Sequence, residues 1–388
     1  MGDMLTMNSL GDGSTLSLDF TTGVLDSRLT FTRSTTATYI NSSGYVTSAA
    51  INAPRFDYSP TNIGQPRGLL IEGQGINTLV YSQRIIVGSG GWFYGGAGTQ
   101  TTTPDLATGP DGVASSASRL QLGFNCSLKQ LGGTNGTNNT VSIWAKSNNG
   151  FNQNMAFWTG SSASNKVITT QWQRFEAVVN FASLTAFDFY KTDAGDCDIL
   201  IWGAQLEVGS GASSYIPTVA SQVTRAVDTA IIAAGTNFSS WYTGNTSGTF
   251  VANWYGSVSS TTARSVMATS DQTTKHLHLY QTPSALTLRL ADFGAAATVT
   301  TGNNLTANAL TKGAFSYAST ATSLCLNGGT VATGTLAFTV APTWLSIGGP
   351  STNGTTITDT TVMLNNSIRT LKYFPARLSD AQIKEITT

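Results

Sequence analysis

The 388-residue chain is long enough for two or three domains, each with its own core. Only 10% of its residues are charged, against about 25% in an ordinary soluble protein, and 20 Lys+Arg balance 20 Asp+Glu. A neutral chain lacks the basic face that phosphate contacts require, which argues against nucleic-acid binding, and its aromatic content argues against disorder.

The opening, MGDMLTMNSLGDGSTLSLDF, has no basic stretch leading into an apolar core, so no secretory signal is expected. No apolar run approaches the roughly 18 residues of a membrane span, so no membrane insertion is expected. Cys126, Cys197 and Cys325 are too few and too scattered for a disulfide framework or a zinc site, which suits synthesis in a reducing cytoplasm. Residues 1–80 read as an N-terminal segment with apolar alternation at Leu16, Leu18 and Phe20 and again at Leu29 and Phe31. It closes on RFDYSPTNIGQPRGLLIEGQGINTLVYSQ (55–83). Here Pro54, Pro60, Gly64, Pro66 and Gly68 set turns, and Leu69-Leu70-Ile71 supplies a short buried strand. Arg55, Arg67 and Glu72 can hold the stretch in register by hydrogen bonds. The pattern encodes shape rather than chemistry.

From 81 to 220, short alternating runs such as TVSIWAKS (140–147) lie between Gly, Asn, Ser and Pro turns. Residues 209–228, GSGASSYIPTVASQVTRAVD, are small and polar around Tyr215-Ile216-Pro217 and read as a connector. From 228 to 388 the strand pattern resumes in TFVANWYGS (249–257) and HLHLYQ (276–281). The whole predicts an all-β chain of tandem sandwich or jelly-roll domains, 81–220 and 228–388, behind the N-terminal segment. LSDAQIKEI (378–386) alone suits a helix, with Ser379 as N-cap and Asp380 in the first turn.

The candidates for chemistry are few. The four glutamates, Glu72, Glu176, Glu207 and Glu385, lie in segments that architecture explains, so no glycosidase pair of carboxylates is expected. His276 and His278 share one strand face and read as an exposed polar face rather than a metal site, which would need a third ligand. DAGDCD brings Asp193, Asp196 and Asp198 close in sequence, as a structural calcium site would, although Gly195-Asp196 is equally an ordinary turn. GSGGWFYGGAG (88–98) offers Trp92, Phe93 and Tyr94 between glycines, suited to stacking on sugar faces. Alternation there buries Trp92 and Tyr94 and exposes Phe93. Trp158, in FWTGSSAS, is a similar candidate.

Several of these stretches carry a resemblance. Leu18-Asp19-Phe20, Leu29-Thr30-Phe31-Thr32-Arg33, Ala37-Thr38-Tyr39 and residues 54–82 resemble a recurrent module of tailed-bacteriophage virion proteins, departing from it at GQGINTLV (73–80). Trp92, TGPDGVASSASRL (108–120), VSIWAK, QWQRFEAVV (171–179) and DILIWGAQLEVGSGASSYIPT (198–218) resemble the carbohydrate-binding-like jelly roll that follows it. KGAFSYASTATSLCLNGGTVATGT (312–335) and IRTLKYFPARLSDAQIKEIT (368–387) resemble a laminin-G/concanavalin-A-like sandwich. The resemblance implies a non-enzymatic fibre or appendage on the virion surface that attaches to host-surface glycan. Its alternatives are a capsid decoration or adaptor of purely structural role, and a polysaccharide depolymerase. It also implies contacts with other virion proteins and a homotrimer. Segment 1–80 is too short to bury Tyr39, Tyr45, Phe56 and Tyr58 by itself, so it is expected to pack on neighbouring copies or on the adjacent domain.

Overall fold

The computed structural model describes residues 12–88, 91–181, 185–243, 247–257, 263–270, 276–281, 288–292, 298–301, 305–319, 321–335 and 342–388. The chain is all-β, in two sandwiches of antiparallel strands.

The first sandwich packs two five-stranded sheets face to face. One runs Gln173–Val179, Asn139–Ser147, Cys197–Val208, Ala117–Leu122, Gln100–Ala107. The other runs Ala163–Ile168, Gln153–Trp158, Ala186–Lys191, Ser127–Leu131, Phe93–Gly95. Between them lie Leu120, Leu128, Ile143, Phe157, Phe187, Ile199 and Leu206. Along Cys197–Val208 the inward positions switch from Ile199 and Ile201 to Ala204 and Leu206. The switch falls at Gly203, whose φ of 65° is a left-handed conformation that glycine adopts without steric cost, and the pairing with Asn139–Ser147 slips by one residue there. Trp202 can therefore face outward, into a smaller cluster with Trp144, Tyr215, Ala117 and Val46. This outer cluster covers what would otherwise be a solvated sheet face.

The second sandwich has a seven-stranded and an eight-stranded sheet, and the N-terminal segment is built into both. Thr30–Thr32 extends the seven-stranded sheet beside Thr229–Ile232. In the other, Asn366–Phe374 has one edge on Gly248–Tyr255, and its second edge is covered by two N-terminal strands. Leu16–Asp19 pairs with residues 370–373 and Pro66–Ile71 with 366–368. Gly68 makes the second pairing possible, because a Cβ there would lie 2.1 Å from the Ile368 carbonyl oxygen. Leu16, Leu18, Phe20, Leu29, Phe31, Leu69 and Ile71 are all buried in one core with Trp241, Phe250, Trp254, Phe315 and Leu371. At roughly 1.5–3 kcal/mol per large apolar side chain, these seven contribute more than about 10 kcal/mol.

The expected boundary at residue 80 is thus not where the sheets divide. The apolar residues of 1–80 do need a partner, and most find it within the same chain: the seven just named pack into the 228–388 sandwich, Val46 and Leu79 pack on the first sandwich, and Tyr45 stays exposed, so their burial does not by itself call for self-assembly. The first sandwich is an insertion: the chain leaves the second sandwich through Gly75–Asn77 and returns through Val223–Arg225, and these two strands pair as a neck. At the C-terminus the helix Asp380–Ile386 forms as expected, with a capping box between Ser379 and Gln382.

Candidate functional site

The outer face of the sheet that begins with Ala163–Ile168 is built by strand alternation. In Ala186–Lys191, Phe187 and Phe189 point into the core, so Asp188 and Tyr190 point out. The register then sets Asp188 opposite Lys129, and Lys129 opposite Phe93. On the other side Phe157 lies opposite Phe189, and the next step places Trp158 beside Asp188. One rung therefore reads Phe93, Lys129, Asp188, Trp158 across four neighbouring strands. Its two ends stand about 14 Å apart, three inter-strand spacings. Phe93 is 40% and Trp158 39% exposed. Between them Lys129 Nζ lies 2.8 Å from Asp188 Oδ2, while the other oxygen, Oδ1, has no protein partner.

The adjacent rung is low: Gly95, Ser127 and Ala156, with Tyr190 and exposed Asn165. A Cβ on Gly95 would lie 2.5 Å from Lys129 Cε, so glycine allows the lysine stem to lie across that position. Burial, with Asp188 nearby, raises the Tyr190 phenol above its ordinary value. The result is an aromatic–charged–aromatic ridge beside a shallow floor.

Trp92 and Tyr94 belong to the core side of the same strand and its approach. Trp92 is 1% exposed, donates from Nε1 to the carbonyls of Val80 (3.0 Å) and Tyr81 (3.3 Å), and meets Phe187 edge-on. Tyr94 is half-buried, its hydroxyl donating to Thr102 Oγ1 at 2.9 Å. The three aspartates do not converge on a cation. Asp193 pairs with Lys191 and accepts from Asn154, Asp196 is exposed, and Asp198 takes a bidentate contact from Arg119 at 2.8 and 2.7 Å. Among the described residues no group of three potential ligands is close enough to hold a metal. The side chain of His276 lies outside the described residues. His278 is buried beside Tyr280, on the face opposite the core residues Leu277 and Leu279, and is not exposed as expected.

A second constellation sits where the two sandwiches meet. Arg55 donates to Glu72 (2.6 Å), Ser214 (2.8 Å), the Thr38 carbonyl (3.0 Å) and Asp228. Arg33 reaches Asp228 at 3.2 Å, and Arg225 reaches Glu72 and the Gly73 carbonyl. Glu72 also accepts two bonds from Ser214 at 2.7 Å. Burial alone would raise the Glu72 carboxyl, but Arg225, Arg55 and Ser214 hold it far below the usual range. These charges lock the neck, the connector and the N-terminal segment together. Arg55 and Glu72 thus act as the register-holding pair that the sequence suggests.

Beside this lock is a cleft of about 480 Å³ lined by Tyr39, Asp57, Arg67, Trp172, Arg174 and Asn365, among others. Arg67 stacks 4.0 Å from the Tyr255 ring and donates to Asn366 (2.9 Å); Arg174 donates to the Ser213 carbonyl (2.6 Å) and Ser142 (2.9 Å). Nothing in the sequence pattern marks this cleft, because its walls come from segments as far apart as Thr38 and Asn366.

No family model matches the chain, and no curated protein matches it. Among solved structures, it is similar to the CBM40 of Ruminococcus gnavus IT-sialidase bound to α2,3-sialyllactose (18% identity, 37% of this chain and 83% of that one, TM-score 0.32). It is also similar to a leech intramolecular trans-sialidase (18%, 37% and 23%, TM-score 0.31) and to a heptameric SAP-like pentraxin from Limulus polyphemus (11%, 37% and 70%, TM-score 0.27). Likeness at this level carries no functional inference.

Proposed function

We propose that this chain is a glycan-binding surface protein of a tailed-phage particle, contacting host-surface glycan through the outer face of its first sandwich without cleaving it. The observation that carries the binding reading is the rung itself. Two exposed aromatic rings flank a charged pair, and a buried carboxylate oxygen there lacks a donor. Aromatic faces stack on the C–H surfaces of sugars, and the part-exposed Lys129 ammonium between them is a charged donor for sugar hydroxyls. Low charge and many short polar side chains suit a surface that meets polysaccharide rather than nucleic acid. The virion setting follows from the resemblance of residues 18–39 and 54–82. Binding without hydrolysis is supported by the glutamates: Glu72 and Glu207 are buried and hydrogen-bonded, Glu176 stands on the other sheet, and Glu385 lies on the terminal helix.

The test is a bacterial-surface glycan array probed with the full chain and with a Phe93→Ala/Trp158→Ala double variant. The wild type should be retained on a subset of glycans, and the double variant should lose that retention with an unchanged circular-dichroism spectrum. Retention by the double variant, or release of reducing sugar from a bound glycan, contradicts the reading.

A further inference from the structure

We infer that the cleft between the two sandwiches is a second ligand site, separate from the rung, and that it takes an acidic sugar. Three observations point there. First, size and shape: about 480 Å³ lies within the range of small-molecule sites, at a domain junction where such sites concentrate. Second, the lining lacks acceptors. Nε of Arg67, Nε of Arg174 and Nε1 of Trp144 are buried donors with no protein acceptor, Arg67 Nε being 3.8 Å from Asp57 Oδ2. Among the described residues the lining leaves no buried side-chain acceptor unpartnered. These donors are covered by neighbouring atoms, so they make the wall electropositive rather than bond a ligand directly, and an oxygen-rich ligand suits such a wall.

Third, charge. The guanidinium groups lining the cleft or directly behind it are those of Arg33, Arg55, Arg67, Arg174 and Arg225. The carboxylates are those of Asp57, Glu72, Glu207 and Asp228. That leaves one positive charge in excess in a poorly solvated place. At the rim, Lys146, 5.3 Å from the Trp172 ring, is offset by Asp111 near Tyr215. An anion entering the cleft supplies the missing countercharge. Burial also raises the Asp57 carboxyl to about 6, so mildly acidic conditions remove the wall's own repulsion toward an anion.

The rest of the lining says what surrounds that negative charge. Trp172 and Tyr39 are half-buried aromatic residues in the cleft wall. Asn308 and Asn365 are exposed at the lip; each carries its bond at Oδ1, from Asn366 and Gly73, which leaves the amide N–H groups for ligand hydroxyls. A carboxylate attached to a hydroxyl-bearing ring fits all of this; a bare anion leaves the rings and amides unused.

Ligand-observed NMR and calorimetric titration on the full chain test this with D-glucuronate, using D-glucose and acetate as controls. Glucuronate should bind at least about tenfold more tightly than either control. Trp172→Ala should weaken it, and so should Asn365→Asp, an isosteric change at the exposed lip that adds a repelling charge and hardly disturbs packing. Phe93→Ala/Trp158→Ala should leave it unchanged. Equal binding of glucose removes the charge requirement, and equal binding of acetate removes the sugar. No binding at millimolar concentration, or loss only in the Phe93/Trp158 variant, overturns the site while leaving the rung reading intact.

Discussion

Replacing Glu72 by Ala removes the carboxylate on which Arg55, Arg225 and both donors of Ser214 converge. It leaves two arginines that are at most 2% exposed: Arg55, which still shares Asp228 with Arg33, and Arg225, which loses its carboxylate partner. Removing one partner from a buried ion pair costs about 3–5 kcal/mol, most of it from the charge left behind. Whole domains are stable by only about 5–15 kcal/mol. For sandwiches of this size, each kcal/mol moves the melting temperature by roughly 2–4 °C, so a fall of about 10 °C is expected. Scanning calorimetry of the full chain measures it, and the lock's position at the neck predicts that both sandwiches are affected. The control is Arg84→Ala, which breaks an ion pair of which Arg84 is 58% and Asp105 39% exposed and should cost less than about 1 kcal/mol. If Glu72→Ala costs no more than Arg84→Ala, the buried cluster does not hold the junction.

Limited proteolysis should nick residues 219–224 first, since they are exposed between buried Thr218 and Arg225, yet the fragments should co-elute because residues 16–71 remain woven into the second sandwich. Deleting residues 1–71 should abolish cooperative unfolding of that sandwich, because its core loses seven large side chains and Asn366–Phe374 gains an open edge; a folded truncated protein would count against the sheet assignment. Burial lifts the Asp57 carboxyl from 3.8 to about 6, so between those values the folded chain holds a proton that the unfolded chain has lost. Stability should therefore fall as pH rises from about 4 to about 6, by up to about 3 kcal/mol, and Asp57→Asn should flatten that slope in thermal melts.

What the sequence made legible was local. Strand alternation across Trp92-Phe93-Tyr94 is enough to sort inward from outward rings, and Ser379 with Asp380 marks a helix start. The turn chemistry of residues 54–68 is equally plain. What lay hidden was pairing at long range: Leu16 beside Tyr373, Arg67 beside Asn366, Asp228 between Arg33 and Arg55. A single sequence carries no register between strands hundreds of residues apart. One signal was present, however. Arg225 and Asp228 are the only charges in the connector 209–228, in a chain that uses few, and isolated charges among small residues are candidates for a buried partner. His278 shows the opposite limit, since alternation of His and Leu does not say which neighbours cover each face.

The glycan reading rests most directly on Trp158. Calorimetric titration of the strongest array glycan into wild type, Trp158→Ala and Phe151→Ala measures it, Phe151 being more exposed than Trp158 but set in a loop away from the rung. Loss of a stacking ring at a binding site should reduce affinity by about tenfold or more, while Phe151→Ala should leave it within about twofold. Equal affinities in all three proteins would contradict binding at the rung.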